Sequence, residues 1–168
     1  MPELSLKERL QPSLLDRLTD DRPDERQESR DQRVLTIPQL RACVLRDLGW
    51  LLNCERLSGV VDLSEFPEVE RSVVNYGIPS LSGAVLSRLE LRDLERLIAH
   101  AIREFEPRIL PQTLKVSIRA TESKTGGENA LTIQLEGQLW AQPLPQRLFL
   151  RTEVDLDTGS VEVVEESK

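Results

Sequence analysis

Histidine, methionine and tyrosine occur once each in this 168-residue chain, and cysteine only twice. His100 falls within a helical pattern, where a lone histidine is more often structural or exposed than a base or ligand. One histidine and two cysteines cannot supply a usual zinc set without carboxylates recruited from afar. No Gly-x-Ser-x-Gly elbow surrounds any serine, so no hydrolase triad is visible. Gly126-Gly127 lacks the following Lys-Ser/Thr of a phosphate loop and fits a hairpin instead. Neither a metal nor a cofactor is expected.

Long apolar runs and positive charge are also missing. No stretch approaches the ~18 apolar residues of a membrane span. The net charge of −7 makes nucleic acid and anionic lipid poor partners. Residues 1–9 lack the basic-then-apolar order of a signal peptide, which points to the cytoplasm. Cys43 and Cys54 lie 11 positions apart. A helix through both would separate them by roughly 16 Å, beyond the about 7 Å that a disulfide spans. Two reduced thiols are expected.

Apolar residues recur in periodic blocks from Thr36 onward, enough for the core of one domain. Before it, Ser13 is placed to cap a two-turn helix bearing Leu14, Leu15 and Leu18, too short to be stable without docking. Residues 20–33 carry no apolar side chain and read as a solvated linker. The division is therefore an extension over 1–35 and a domain over 36–168.

Within the domain, Thr36 and Pro38 start a helix whose buried face is Ile37, Leu40, Val44, Leu48, Leu51 and Leu52. Residues 59–63 read as a short strand or a loop, and 66–74 as a short helix stopped by Gly77 and Pro79. The strongest helix spans 87–105, with a stripe of Leu91, Leu94, Leu97, Ile98, Ala101, Ile102 and Phe105 ended by Pro107. Beyond residue 112 the period becomes 2, predicting strands through Leu114–Ala120, Leu131–Leu139, Leu148–Val154 and Val161–Val164. The fold class is α+β: N-terminal helices, one long central helix, and a C-terminal, mainly antiparallel sheet.

Two features stand out as binding candidates. Arg88, Arg92, Arg96 and Arg103 fall within a sector of about 80° on the long helix. Arginine forks pair well with carboxylates, although a solvated face is the more ordinary explanation of such a row. Glu106-Pro107-Arg108 ends that helix, with the proline holding an acid and a base side by side at an exposed terminus. With 29 acidic residues, some carboxylate pair always exists, so no glycosidase signal follows from acids alone.

Three stretches carry a family resemblance: residues 12–21 (PSLLDRLTDD), 46–53 (RDLGWLLN) and 72–83 (SVVNYGIPSLSG), joined by Glu106-Pro107-Arg108. Together they resemble the TssE family, the type VI secretion relatives of the small wedge protein of contractile phage tail baseplates. The resemblance implies a fold like the inner domain of sheath subunits, and contacts with the wedge proteins TssF and TssG. It also implies contact with the sheath subunits TssB and TssC and with TssK, the isolated chain being a monomer. The contact residues would be Glu106, Pro107 and Arg108, with Leu14, Leu15 and Leu18 as an anchor and Arg92 and Arg96 as a further docking row. Glu128, Glu136, Glu153 and Asp155 on the late strands would discourage indiscriminate strand pairing. The rivals are a lysozyme-like glycoside hydrolase and a small adaptor or regulator of the same fold.

Overall fold

The computed structural model describes residues 13–19, 24, 35–81, 91–121, 130–141, 144–155 and 159–165. Among the described residues, four helices, α1 (Leu14–Leu18), α2 (Ile37–Asn53), α3 (Pro67–Glu70) and α4 (Leu91–Phe105), precede four strands. These are β1 (Lys115–Thr121), β2 (Ala130–Leu139), β3 (Gln146–Asp155) and β4 (Val161–Glu165). The linker expected at 20–33 (Asp24 apart), the helical turn expected at 87–90 and the hairpin loop expected at 125–129 lie outside the described residues.

Helix α2 begins with a capping box. The Thr36 hydroxyl accepts from the Gln39 N–H, and the Gln39 amide oxygen accepts from the Thr36 N–H at 2.8 Å. Leu40, Val44, Leu48, Leu51 and Leu52 are buried along it, as their spacing predicts. Helix α4 buries Leu94, Ile98, Ala99, Ala101 and Ile102. Both helices pack on one face of the sheet, whose Leu131, Ile133, Leu135, Leu139, Leu148, Leu150 and Val154 complete the core. Each large side chain so buried contributes about 1.5–3 kcal/mol. The result is a two-layer α+β domain.

The sheet is an antiparallel meander in the order β1-β2-β3-β4, with Val116 opposite Leu135, Leu135 opposite Leu150 and Thr152 opposite Val163. Its two edges are treated differently. On β1 the Ile118 N–H donates to Glu95 of α4 at 2.8 Å. On β4 the Asn53 side chain, at the end of α2, accepts from the Val161 N–H at 2.9 Å and donates to the Val161 carbonyl at 2.8 Å. Val161 therefore faces away from β3. Alternation along an antiparallel strand turns the N–H and C=O of Val163 the same way.

The structure corrects several expectations. Residues 66–74 do not form one helix: α3 ends at Glu70, and Val73–Asn75 form a separate 3₁₀ turn. The Ser72 hydroxyl accepts from the Val74 N–H at 3.2 Å and so starts the second turn. Residues 57–59 form another 3₁₀ turn leading into a loop that buries Leu63. Glu136, Glu153 and Asp155 sit on β2 and β3, the inner strands, so they guard no edge; Glu128 lies outside the described residues.

Gly77 has φ +124°, and a Cβ there would come within 2.3 Å of the Cys54 carbonyl oxygen. This close approach lets Ile78 pair with Cys54 and Arg56, at 2.9 and 3.0 Å, tying the loop to the end of α2. Cys43 and Cys54 are both free thiols. Among the described residues, no helix is long and apolar enough to cross a membrane.

Candidate partner-binding site at the end of α4

Glu106 still closes the last turn of α4, its N–H donating to the Ile102 carbonyl at 2.8 Å, before Pro107 ends the helix. Its side chain turns inward and is only 2% exposed, contrary to the expected exposed terminus. Arg108 folds back over it. The Arg108 Nε donates to Glu106 Oε1 at 2.6 Å, Nη2 donates to Oε2, and the backbone N–H reaches Oε1 at 3.2 Å. A buried carboxylate needs such compensation, and a bidentate guanidinium supplies it with fixed geometry.

The pairing continues onto α2 and α1. Arg108 Nη2 also donates to Asp47 Oδ2. Asp47 Oδ1 accepts from Arg46 Nε at 2.9 Å, and Arg46 Nη1 meets Asp16 of α1 at 2.6 Å. The Ser13 hydroxyl donates to the second Asp16 oxygen at 2.6 Å, and its oxygen caps α1. Arg46 and Trp50, four residues apart, share a helix face, and the guanidinium lies 4.9 Å from the indole centroid. Three carboxylates thus surround two guanidiniums.

The fields follow from this geometry. Burial would raise the Asp16 carboxyl, but hydrogen bonds from Arg46 and Ser13 and the Arg46 charge bring it down to about 2. Burial works against the charged Arg108, yet its bonds to Glu106 and Asp47 more than offset this and hold it above the usual arginine value. The Tyr76 phenol is pushed up to about 12 by burial first, and then by Cys54, Asp47 and Glu106.

A cavity of about 230 Å³ adjoins the cluster, lined by Leu15, Asp47, Trp50, Leu51, Tyr76, Phe105, Glu106 and Arg108. Tyr76 meets Phe105 edge-on at 5.1 Å and donates weakly, at 3.4 Å, to the Asp47 carbonyl. Arg108 Nη1 is buried without a hydrogen-bond partner among the described residues.

Of the sequence-predicted site residues, Glu106, Arg108 and Leu15 are brought together here, while Pro107 is exposed beside them. Leu14 and Leu18 stay 71% and 74% exposed on α1. Arg92 and Arg96 are not brought in: they lie exposed roughly 15–20 Å back along α4, and Arg96 pairs with Asp93 of its own helix. Arg103 is exposed, and Arg88 falls outside the described residues. Sequence reasoning missed Asp16, Arg46, Asp47, Trp50 and Tyr76 as members of the site. The available signal was Arg46-Asp47, opposite charges directly beside the buried stripe of α2. Their partner Arg108, 61 positions away, leaves no mark in local spacing.

Among the described residues, no cluster of histidine, cysteine or carboxylate side chains is set to hold a metal ion. No curated protein and no solved structure matches the chain significantly. The model of one family, described as baseplate wedge protein gp25, matches residues 38–144. That span is more than half of the chain and includes Arg46, Asp47, Tyr76, Glu106 and Arg108, though not Asp16. The chain therefore belongs to the baseplate wedge protein gp25 family, a structural component of a phage-like baseplate that associates with other baseplate proteins.

Proposed function

We propose that this chain is the small wedge subunit of a type VI secretion baseplate in the cytoplasm, and that it joins its partners through the end of α4. The observation that carries this reading is Arg108. Its Nη2 and Nε are committed to Glu106 and Asp47, while Nη1 is buried without a partner beside an open, aromatic-lined cavity. A buried orphan donor costs about 1–3 kcal/mol, which a backbone carbonyl or carboxylate from a partner would recover. The partners are TssF and TssG, with TssK beyond them. Leu14, Leu15 and Leu18 on α1 add an apolar anchor beside the cavity, and Arg92 and Arg96 are outer contacts for acidic surfaces.

The outer edge of β4 serves the sheath. The outward N–H and C=O of Val163 on β4 invite an incoming strand from a TssB or TssC subunit, and backbone pairing of that kind templates polymerisation. The chain works by recognition and needs no chemistry. Glu106 accepts three hydrogen bonds from Arg108, an arrangement suited to holding a geometry rather than to delivering a proton.

Glu106→Leu combined with Arg108→Met tests the reading, because an apolar pair of similar volume replaces a buried ion pair with little loss of stability. Co-purification with TssF and TssG should fall about tenfold or more while the melting temperature stays near that of the wild type. Normal co-purification of this folded variant would remove the site from the wedge contact.

A further inference from the structure

The segment 57–75, between α2 and α4, turns the usual burial pattern inside out. Its polar Asn75 is buried, accepting from the Ser58 N–H at 2.8 Å and donating to the Glu70 carbonyl at 2.8 Å. Leu63 is its buried anchor. The 3₁₀ turn at Val73–Asn75 packs against both the turn at Leu57–Gly59 and α3, so the segment is a small ordered platform. On its outside stand Val60 (82% exposed), Val61, Phe66, Val73 (79% exposed) and Val74. Between them lie Asp62, Glu65, Glu68 and Glu70, all exposed, against the single base Arg71.

Apolar side chains held outward on a hydrogen-bonded scaffold mark a contact surface, and their order is already set before binding. The charge around them restricts the occupant. Four acids against one base, on a chain of net charge −7, repel a second copy, nucleic acid and anionic lipid. We infer that residues 57–75 form a second docking surface of this baseplate subunit. It fits a basic amphipathic segment of another baseplate protein, one that places apolar residues over Phe66, Val73 and Val74 and flanks them with Arg or Lys. The surface is distinct from the Glu106–Arg108 cluster, and its partner meets side chains that the cluster does not use.

The test uses the full chain in assembled baseplates, with a photo-reactive benzophenone residue at Val60. The expected cross-link joins this position to a peptide of a different baseplate protein with apolar residues flanked by Arg or Lys. The double variant Phe66→Ser, Val73→Ser should lower the cross-link yield about tenfold or more, with the melting temperature within about 2 °C of wild type because both side chains are exposed. Glu65→Lys with Glu68→Lys should lower the yield as well. Cross-links to a second copy, to lipid, to nucleic acid or to an acidic peptide overturn the inference, as does absence of a cross-link in baseplates containing the chain. Normal baseplate assembly by the Phe66/Val73 variant also overturns it, and leaves the wedge contact at Glu106 and Arg108 untouched.

Discussion

Replacing Glu106 by alanine should destabilise the protein sharply, whereas an exposed charge on the same helix should be silent. Glu106 is 2% exposed and Arg108 22%, and Arg108 keeps Asp47 as a second partner when Glu106 is lost. Breaking one side of a buried pair costs roughly 3–5 kcal/mol because the remaining charge is left uncompensated. The surviving Asp47 contact and the partial exposure of Arg108 reduce this to about 2–4 kcal/mol. At ~2–4 °C per kcal/mol for a chain of this size, a loss near 3 kcal/mol lowers the melting temperature by about 6–12 °C. Arg96→Ala removes an ion pair whose members are 76% and 50% exposed, and should shift it by no more than about 1–2 °C. Thermal and urea unfolding followed by circular dichroism would measure both. A double-mutant cycle over Glu106→Ala and Arg108→Ala should give a coupling of about 1–3 kcal/mol. A Glu106→Ala protein melting within 2 °C of wild type, or a coupling near zero, would show that the cluster does not hold the helix end.

Further outcomes follow from other residues. Val163→Pro should leave a folded protein that supports baseplate but not sheath assembly, because its N–H points away from β3; Val161→Pro should instead lower stability by breaking the Asn53 bond, measured by unfolding. The Asp16 carboxyl titrates near 2 when folded and near 3.8 otherwise, so its contribution is full above about pH 4 and is lost as pH falls through 2. Arg46 is 36% exposed, so solvent screening limits that contribution to about 1 kcal/mol. Trp50 fluorescence should report the change in acid titrations, and Asp16→Asn should flatten it. Gly77→Ala should cost about 2–4 kcal/mol in urea unfolding, since it meets both a positive φ and the Cys54 carbonyl. A cost under 1 kcal/mol would mean that the loop relaxes freely.

The periodic elements were legible in the sequence because one physical rule governs each. Leu40, Val44, Leu48 and Leu52 recur at helical spacing, and Leu131, Ile133 and Leu135 alternate, so burial and pattern agree. Residues 66–74 defeated the same rule because Phe66, Val73 and Val74 face outward while Asn75 faces in. Glu106 was misplaced for a related reason: a charged residue beside a helix-ending proline is ordinarily solvated, and nothing nearby in sequence shows that Arg108 folds back over it and reaches Asp47 of α2. The motif residues were found by resemblance, but the network that fixes them joins three helices distant in sequence.

These departures share a consequence for assembly. Local rules tend to be broken where function requires it, and here a charge is buried, a guanidinium nitrogen is left without a partner, and apolar side chains stand in water. Relative to well-packed apolar side chains in the same places, none of these features adds stability to the isolated chain. An orphan donor such as Arg108 Nη1 weakens it by about 1–3 kcal/mol, and exposed Val and Phe side chains forgo the burial energy that core residues gain. A partner that supplies an acceptor and covers the valines recovers both terms on binding, at little entropic cost because the groups are already fixed. Each ~1.4 kcal/mol so recovered is a tenfold gain in affinity. The assembled subunit should therefore resist unfolding at temperatures where the free chain melts.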